Sequence, residues 1–173
     1  LDHMNTIASD YLRYARPAEP SLRSVPVGEI LGELECVIRS SLDSTCVDFE
    51  VSQGPDSLEV MCDPDQLNQV LLNLVKNAVE AVSGQPRAQV CVRARPNGKD
   101  VLIDVCDSGP PIPDADLPRL FEPFFTTKPK GTGLGLAISK RLIERQGGSI
   151  SARNTPGGAT FTVSLPAGRD GAH

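Results

Sequence analysis

Two stretches of this sequence carry polar groups in a pattern that could bind a nucleotide together with a metal ion. Asn73 and Asn77 lie four residues apart in a helical pattern, so their amides project from the same side of the helix. The glycine-rich segment 131–136 (GTGLGL) opens another helical pattern, and the free N–H groups at a helix start can face phosphate oxygens. Together the two stretches indicate a nucleotide site.

A third feature lies between them. Asp107 ends an apolar strand-like run, where a carboxylate can accept a hydrogen bond from an exocyclic amine such as that of adenine. Gly109 would let the backbone approach the base. Taken singly, these features have ordinary explanations as a polar helix face, a turn and a flexible cover. The glycine-rich segment matches neither G-x-x-x-x-G-K-[ST] nor G-x-G-x-x-G after a strand, which excludes the phosphate-loop and dinucleotide folds.

The elements that must position these groups follow from hydrophobic periodicity and from turn residues. Helices are predicted at 1–15, 27–42, 64–82 and 134–146, with Asp63 as the cap of the third and Pro64 at its first position. Strands are predicted at 47–51, 58–62, 89–94, 100–106, 149–154 and 159–165. Residues 109–133 are rich in Pro, Gly and Thr and are expected to form a mobile cover with one short helical piece. The order predicts an α/β (α+β) fold, a two-layer sandwich of a mixed sheet with helices on one face.

Composition limits the function classes. The chain has 173 residues, 39% of them hydrophobic, and a formal charge of −5 with both signs interspersed, which predicts one substantial core and no nucleic-acid partner. Its only histidines, His3 and His173, are next to the termini, which disfavours a zinc site or a histidine triad. The five cysteines lack C-x-x-C spacing and are expected to be reduced core residues. No apolar run approaches the ~20 residues of a membrane span, so we expect a soluble, cytoplasmic chain.

Five motifs in a fixed order carry a family resemblance: the Asn-rich helix, 107–109 (DSG), 121–125 (FEPFF), 131–136 and 158–161 (GATF). The set resembles the catalytic ATP-binding domain of bacterial sensor histidine kinases, closest in type to nitrogen-regulation sensor kinases. The resemblance implies the Bergerat ATP-binding fold, a sandwich shared with gyrase and related ATPases. Residues 1–20 resemble the end of a dimerisation and phosphotransfer helix with its linker, 21–166 the catalytic domain, and 167–173 a tail.

The resemblance assigns roles to particular residues. Asn77 is expected to bind the magnesium ion that bridges the phosphates, Asp107 to hold the adenine amine, and Thr160 to support the adenine contact through its hydroxyl. The other expected nucleotide contacts are Asn73, Gly109, Ile112, Thr127, Lys128, Gly131, Thr132, Gly133, Leu134, Gly135 and Leu136. Three phenylalanines, Phe121, Phe124 and Phe125, are expected to act as a hydrophobic latch of the lid.

The resemblance also implies cofactors and partners. ATP and Mg²⁺ are expected, together with a dimerisation and phosphoacceptor domain, a response regulator and a homodimer in the full-length protein. The γ-phosphoryl would pass to a histidine of that other domain, because His3 is in the wrong helix and is followed by Met4 rather than an acidic residue. No residue of this chain is then expected to be catalytic beyond positioning ATP and Mg²⁺. The chain is expected to be cytoplasmic, as part of a membrane-bound sensor or otherwise.

Three positions leave alternatives open. The related ATPases have a general-base Glu where this chain has Asn73, whose amide cannot accept a proton near neutral pH, so kinase is favoured over ATPase. The second glycine of the 107–111 motif is replaced by Pro111, which fixes φ and removes an N–H. Glu80 stands where some relatives carry a phosphate-contacting Lys. The alternatives are a nucleotide-binding module of the same fold without transfer activity, and an ATPase or serine kinase of the same superfamily.

Overall fold

The computed structural model describes residues 2–42 and 46–168, apart from the side chains of residues 2 and 3. The helices are α1 (Asp2–Ala15), α2 (Val27–Leu42), α3 (Pro64–Val82) and α4 (Gly135–Arg145), with one 3₁₀ turn at Leu117–Arg119. The strands are β1 (Arg23–Pro26), β2 (Val47–Ser52), β3 (Glu59–Cys62), β4 (Ala88–Asn97), β5 (Asp100–Asp107), β6 (Ser149–Thr155) and β7 (Gly158–Pro166). The side chain of His3, residue His173 and most of the predicted tail lie outside the described residues.

The main sheet has five strands in the order β2-β4-β5-β7-β6. Strands β2 and β4 are parallel, and the other neighbours are antiparallel. Helices α2, α3 and α4 pack on the sheet from one side. The predicted two-layer α/β sandwich with a mixed sheet is therefore confirmed.

A small second sheet was not predicted. Strand β3 pairs with β1 in an antiparallel register, although a turn through Gly54 connects β3 to β2 along the chain. Strand β1 has four residues, RSVP, of which only Val25 is buried. So short a segment, with a proline at its end, has no readable alternation of apolar and polar residues, and only the packing shows that it is a strand.

Helix α3 is the element that carries the two asparagines. Asp63 caps its start by accepting hydrogen bonds from the backbone N–H groups of Asp65 and Gln66, each at 3.1 Å, and Pro64 occupies the first turn as predicted. The apolar face of the helix includes Leu67 and Leu71, both fully buried. Burying one such leucine contributes about 1.5–3 kcal/mol, so α3 is firmly seated and presents its other face to a fixed place.

The cysteines do not follow the prediction. Only Cys62 is buried, whereas Cys36 and Cys46 are exposed, and Cys91 and Cys106 are half-buried on the sheet face opposite the helices. Successive strand residues alternate between the two faces, so an apolar run does not reveal which face a cysteine takes. The expectation that the five are core residues was therefore wrong for four of them. Within the described residues no helix combines the length and apolar character needed to cross a membrane.

Candidate functional site

A cavity of about 850 Å³ opens between α3, the cover segment 109–133 and the start of α4. The predicted site residues that it brings together are separated by up to 63 positions in the sequence, from Asn73 to Leu136. Predicted site residues that line it are Asn73, Asn77, Asp107, Ile112, Thr127, Lys128, Gly131, Thr132, Gly133, Gly135 and Leu136. The motifs recognised in the sequence therefore converge on one place.

Asp107 lies at the inner wall of this cavity and is 8% exposed. Its Oδ1 accepts a hydrogen bond from the backbone N–H of Gly109 at 2.8 Å. Burial raises the pKa of the Asp107 carboxyl, while the backbone N–H groups of Gly109 and Ala159 act in the opposite direction. A carboxylate has about four lone-pair positions, so Asp107 keeps acceptor capacity for a donor that enters the cavity.

Gly109 supports this carboxylate without lining the cavity. A Cβ at this position would lie 2.9 Å from the carbonyl oxygen of Ala81 and 2.9 Å from Oδ1 of Asp107. The loop can pass this close to the end of α3 only because residue 109 has no side chain. Its role is therefore close packing beneath the site.

The proline-rich turn after Gly109 is held by a residue that the sequence reasoning missed. Asn154 of β6 accepts the N–H of Ile112 at 2.9 Å and donates its amide to the carbonyl of Ile112 at 2.8 Å. Pro110, Pro111 and Ile112 line the cavity next to this clamp. The clamp fixes the turn without a glycine at 111. Only the fold could reveal it, because Asn154 is 42 residues from Ile112.

Asn77 already faces a positive charge. The ammonium of Lys128, from the cover segment, donates to the amide oxygen of Asn77 at 3.0 Å and forms an ion pair with Glu80. Both side chains of the ion pair are nearly half exposed, so the pair contributes little to stability. Its importance is positional, because it places a cation on the oxygen from which a metal contact is expected.

Asn73 has a different task. Its amide donates to the hydroxyl of Ser139 at 3.0 Å, and that hydroxyl donates to the carbonyl of Gly135 at 2.9 Å. A Cβ at Gly135 would lie 3.0 Å from the amide oxygen of Asn73. Asn73 thus ties α3 to the first turn of α4, which fixes where the N–H groups at the start of α4 point.

The glycine-rich segment is folded against the phenylalanine motif. Gly133 has φ +70°, and a Cβ there would lie 2.4 Å from the backbone of Phe124. Phe124 itself has φ 66°, donates its N–H to the carbonyl of Gly133 at 2.8 Å and leaves its ring 58% exposed. A positive φ at a bulky residue is strained, which marks this contact as a constrained point of the cover.

The three phenylalanines therefore differ in their contacts. The ring of Phe121 meets that of Phe161 edge-on, with centroids 6.3 Å apart, and the ring of Phe125 lies under the guanidinium of Arg119 at 4.4 Å. Phe124 is largely exposed. Phe121 thus anchors the cover to β7, Phe125 packs within the cover, and Phe124 leaves its side chain in solvent.

Besides Gly109, two predicted contacts are not in the cavity. Thr160 lies on the opposite face of the sheet, beside Cys106, because Ala159 and Phe161 are the residues of β7 that point to the cavity. Leu134 is fully buried in the core. The alternation along β7 could have shown that two neighbouring residues cannot both reach one face.

Helix α1 reaches the same site. Asp10 lines the cavity and accepts a hydrogen bond from the hydroxyl of Thr132 at 3.3 Å. Arg141 of α4 donates to the carbonyl of Tyr14 at 2.8 Å and lies over its ring. The apolar stripe of α1 is only partly used by this packing, since Met4 and Leu12 stay exposed.

Residues 62–169 match the family described as histidine kinase-, DNA gyrase B-, and HSP90-like ATPase. The sensor histidine kinase ZraS of Klebsiella oxytoca is 37% identical over 166 residues, which are 95% of this chain and 36% of the relative. This chain therefore spans about a third of the length of the curated relatives it matches.

Solved structures agree with the sequence comparison. The catalytic domain of histidine kinase ThkA has a TM-score of 0.77 and 32% identity, covering 84% of this chain and 95% of that one. ThkA in complex with the response regulator protein TrrA has a TM-score of 0.82 and 28% identity, covering 95% of this chain and 47% of that one. Full-length ShkA in complex with AMPPNP has a TM-score of 0.82 and 26% identity, covering 99% of this chain and 37% of that one.

Proposed function

Because the chain belongs to the histidine kinase-, DNA gyrase B- and HSP90-like ATPase family and carries the ATP-binding catalytic domain of sensor histidine kinases, we propose that it presents Mg²⁺-ATP to a histidine on another domain. The observation that carries this proposal is the convergence of Asp107, Asn77 and the glycine-rich segment on one cavity. A purine nucleoside triphosphate requires three parts in its binding site: an acceptor for the base, an amide oxygen for the metal ion and a set of backbone N–H donors for the phosphates.

In this proposal Asp107 fixes the base. Its carboxylate accepts the exocyclic amine of adenine, and the hydrogen bond from Gly109 keeps the carboxylate in place. The adenine amine donates, whereas guanine presents a carbonyl oxygen at the same position of its ring. An anionic acceptor therefore selects adenine over guanine.

The residues at the other end of the cavity fit a hydrated magnesium ion. Asn77 offers a neutral oxygen, which is a ligand type that Mg²⁺ accepts, and that oxygen already contacts the Lys128 ammonium. When bound, Mg²⁺ neutralises charge on the phosphates during transfer. Lys128 must leave Asn77 to admit the ion, and it is then free to approach the phosphates as the lid contact expected from the sequence.

Phosphoryl transfer to histidine is favoured over hydrolysis by Asn73. The Asn73 amide is hydrogen-bonded to Ser139 and therefore has a structural role. An amide also cannot remove a proton from water near neutral pH. This chain would therefore position ATP and leave the nucleophile to the phosphoacceptor domain. The ThkA complex with a response regulator supports a response regulator as the next recipient in the complete protein.

The test is calorimetric titration with a non-hydrolysable ATP analogue and Mg²⁺, followed by addition of a separately produced phosphoacceptor hairpin with radiolabelled ATP. Binding followed by acid-labile, base-stable labelling of the hairpin is the expected result, because phosphohistidine has that stability pattern. Binding without labelling would favour a nucleotide-binding module without transfer activity. Release of inorganic phosphate without a hairpin would favour an ATPase.

A further inference from the structure

The face of the main sheet opposite the helices carries a row of polar side chains that the nucleotide site does not use. The strand registers place Glu50 opposite Cys91, Cys91 opposite Cys106, Cys106 opposite Thr160, and Thr160 opposite Arg153. One row thus crosses all five strands, with two cysteines side by side at its centre. A shallow cavity of about 450 Å³ lies over this row.

The two cysteines face each other across β4 and β5. Both residues are half-buried and line the floor of the cavity. A small reagent in the cavity can therefore reach them. The described part of the chain offers this one pair of cysteines opposed in neighbouring strands.

The backbone spacing suits a covalent bond between them. The N–H of Ser108 donates to the carbonyl of Gln89, and Cys91 and Cys106 lie two residues along the same ladder, which makes them a hydrogen-bonded pair too. The Cα atoms of such a pair are about 5.5 Å apart, inside the 4.4–6.8 Å range of disulfides. Facing Cβ atoms in a sheet are about 4.5–5.5 Å apart, against about 3.5–4.5 Å in a disulfide, so closing the bond draws the two side chains together locally.

The interaction between the two thiols makes Cys106 the better nucleophile. The neighbouring Cys91 thiol lowers the pKa of Cys106, against the opposing effect of burial, and the hydroxyl of Thr160 adds to the lowering. The same interaction, with burial, raises the pKa of Cys91. Arg93 favours the thiolate at both sulfurs, whereas Asp104 disfavours it at Cys106 and Glu50 at Cys91.

We propose that Cys91 and Cys106 form a thiol–disulfide exchange site that reacts with low-molecular-weight disulfides. The thiolate of Cys106 attacks one sulfur of the disulfide RS–SR, a Cys106–S–SR bond forms, and RS⁻ leaves. Cys91 then loses its proton to the medium and attacks the Cys106 sulfur, so that a Cys91–Cys106 disulfide forms and the second RS⁻ leaves, taking up a proton. The protein loses two electrons and the small disulfide gains them.

The remaining cysteines lack this arrangement: two are removed for the experiment, and Cys62 serves as a control. Cys36 and Cys46 are exposed, and neither faces another cysteine on a neighbouring strand. They are replaced by serine, because they would otherwise react with the reagent and keep it bound. Cys62 is fully buried, and burial raises its pKa to about 12. Cys62 should stay unreacted as long as the protein is folded.

The experiment uses the full chain with Cys36→Ser and Cys46→Ser, incubated with oxidised glutathione and followed by mass spectrometry of the intact protein and of its peptides. We expect a product lighter by two hydrogen atoms, with Cys91 and Cys106 joined and no glutathione retained. When Cys91→Ser is introduced as well, glutathione should stay attached to Cys106. The thiol that would displace it is gone, while the serine hydroxyl can still donate a hydrogen bond to the Cys106 thiolate. Cys91→Ala should slow that trapping, because the donor is gone as well.

The variant Cys106→Ser tests the direction of attack. The lowered pKa of Cys106 gives it a larger thiolate fraction than Cys91, whose pKa burial raises, and this difference outweighs the lower nucleophilicity of the weaker base. Glutathione should therefore add to Cys91 in this variant several-fold more slowly than to Cys106 in Cys91→Ser. Equal rates, a stable glutathione adduct when both cysteines are present, or no reaction while Cys62 stays protected would each overturn the proposal.

Discussion

Replacing Asp107 by Asn tests the proposed adenine contact with a change of one functional group. The carboxylate accepts the N–H of Gly109 at 2.8 Å and, in the proposal, the amine of adenine. An Asn side chain has one acceptor oxygen instead of two, and its NH₂ group would face either Gly109 or the adenine amine. Hydrogen bonds to charged groups contribute about 1.5–3 kcal/mol, so affinity for the ATP analogue should fall about 10- to 150-fold.

The same substitution should not destabilise the fold. Burial raises the folded-state pKa of Asp107 above its ordinary value of 3.8, so its ionisation opposes folding. The contribution of the protonated Asp107 carboxyl to stability is fully present below the pKa that this group has in the unfolded chain. It is lost as pH rises through the higher pKa that the group has in the folded protein. At neutral pH the neutral Asn should therefore leave the melting temperature equal or higher, while the gain should disappear in acid. Calorimetry for binding and thermal unfolding at several pH values measure the two effects separately.

Asp104→Asn is the matched control for this experiment. Asp104 is on the same strand and is 7% exposed, but it faces the other side of the sheet, where it accepts a hydrogen bond from Thr162 at 2.6 Å and pairs with Arg95 at 3.2 Å. This variant should lose stability and keep its affinity for the nucleotide analogue. Unchanged affinity in Asp107→Asn, or an equal loss in both variants, would refute the assignment of the base contact.

Three further substitutions probe other parts of the site. Asn77→Ala should remove the dependence of nucleotide affinity on Mg²⁺, measured by titration with and without the ion, because the amide oxygen is the proposed metal ligand. Lys128→Met removes the ammonium from Asn77 and, as a surface pair with Glu80 is worth about 0–1 kcal/mol, should change the melting temperature little. Lys128→Met should lower the Mg²⁺ concentration needed for half-saturation, because the ion no longer has to displace the ammonium. A higher concentration in this variant would contradict displacement of Lys128 by the ion. Asn154→Ala removes both hydrogen bonds to Ile112, which should weaken analogue binding and lower stability by about 1–3 kcal/mol in thermal unfolding.

The sequence by itself determined the class of fold and most of the motif residues. Helix α3 was readable because its apolar positions recur at helical spacing and because Asp63 and Pro64 mark its start. Strands β4 and β5 were readable from alternation around a turn. The residues of the glycine-rich segment were recognised because a short motif with fixed spacing can be identified in the sequence without knowledge of the tertiary contacts.

Only the tertiary structure decided which face each strand residue takes and which distant groups meet. Thr160 looked like a nucleotide contact by its motif, but strand alternation turns it to the other face, where it meets Cys106. The clamp of Asn154 on Ile112 joins residues 42 positions apart and has no local signature. Local periodicity and turn chemistry act over a few residues, whereas these contacts depend on how the strands are ordered in the sheet, which no single segment encodes.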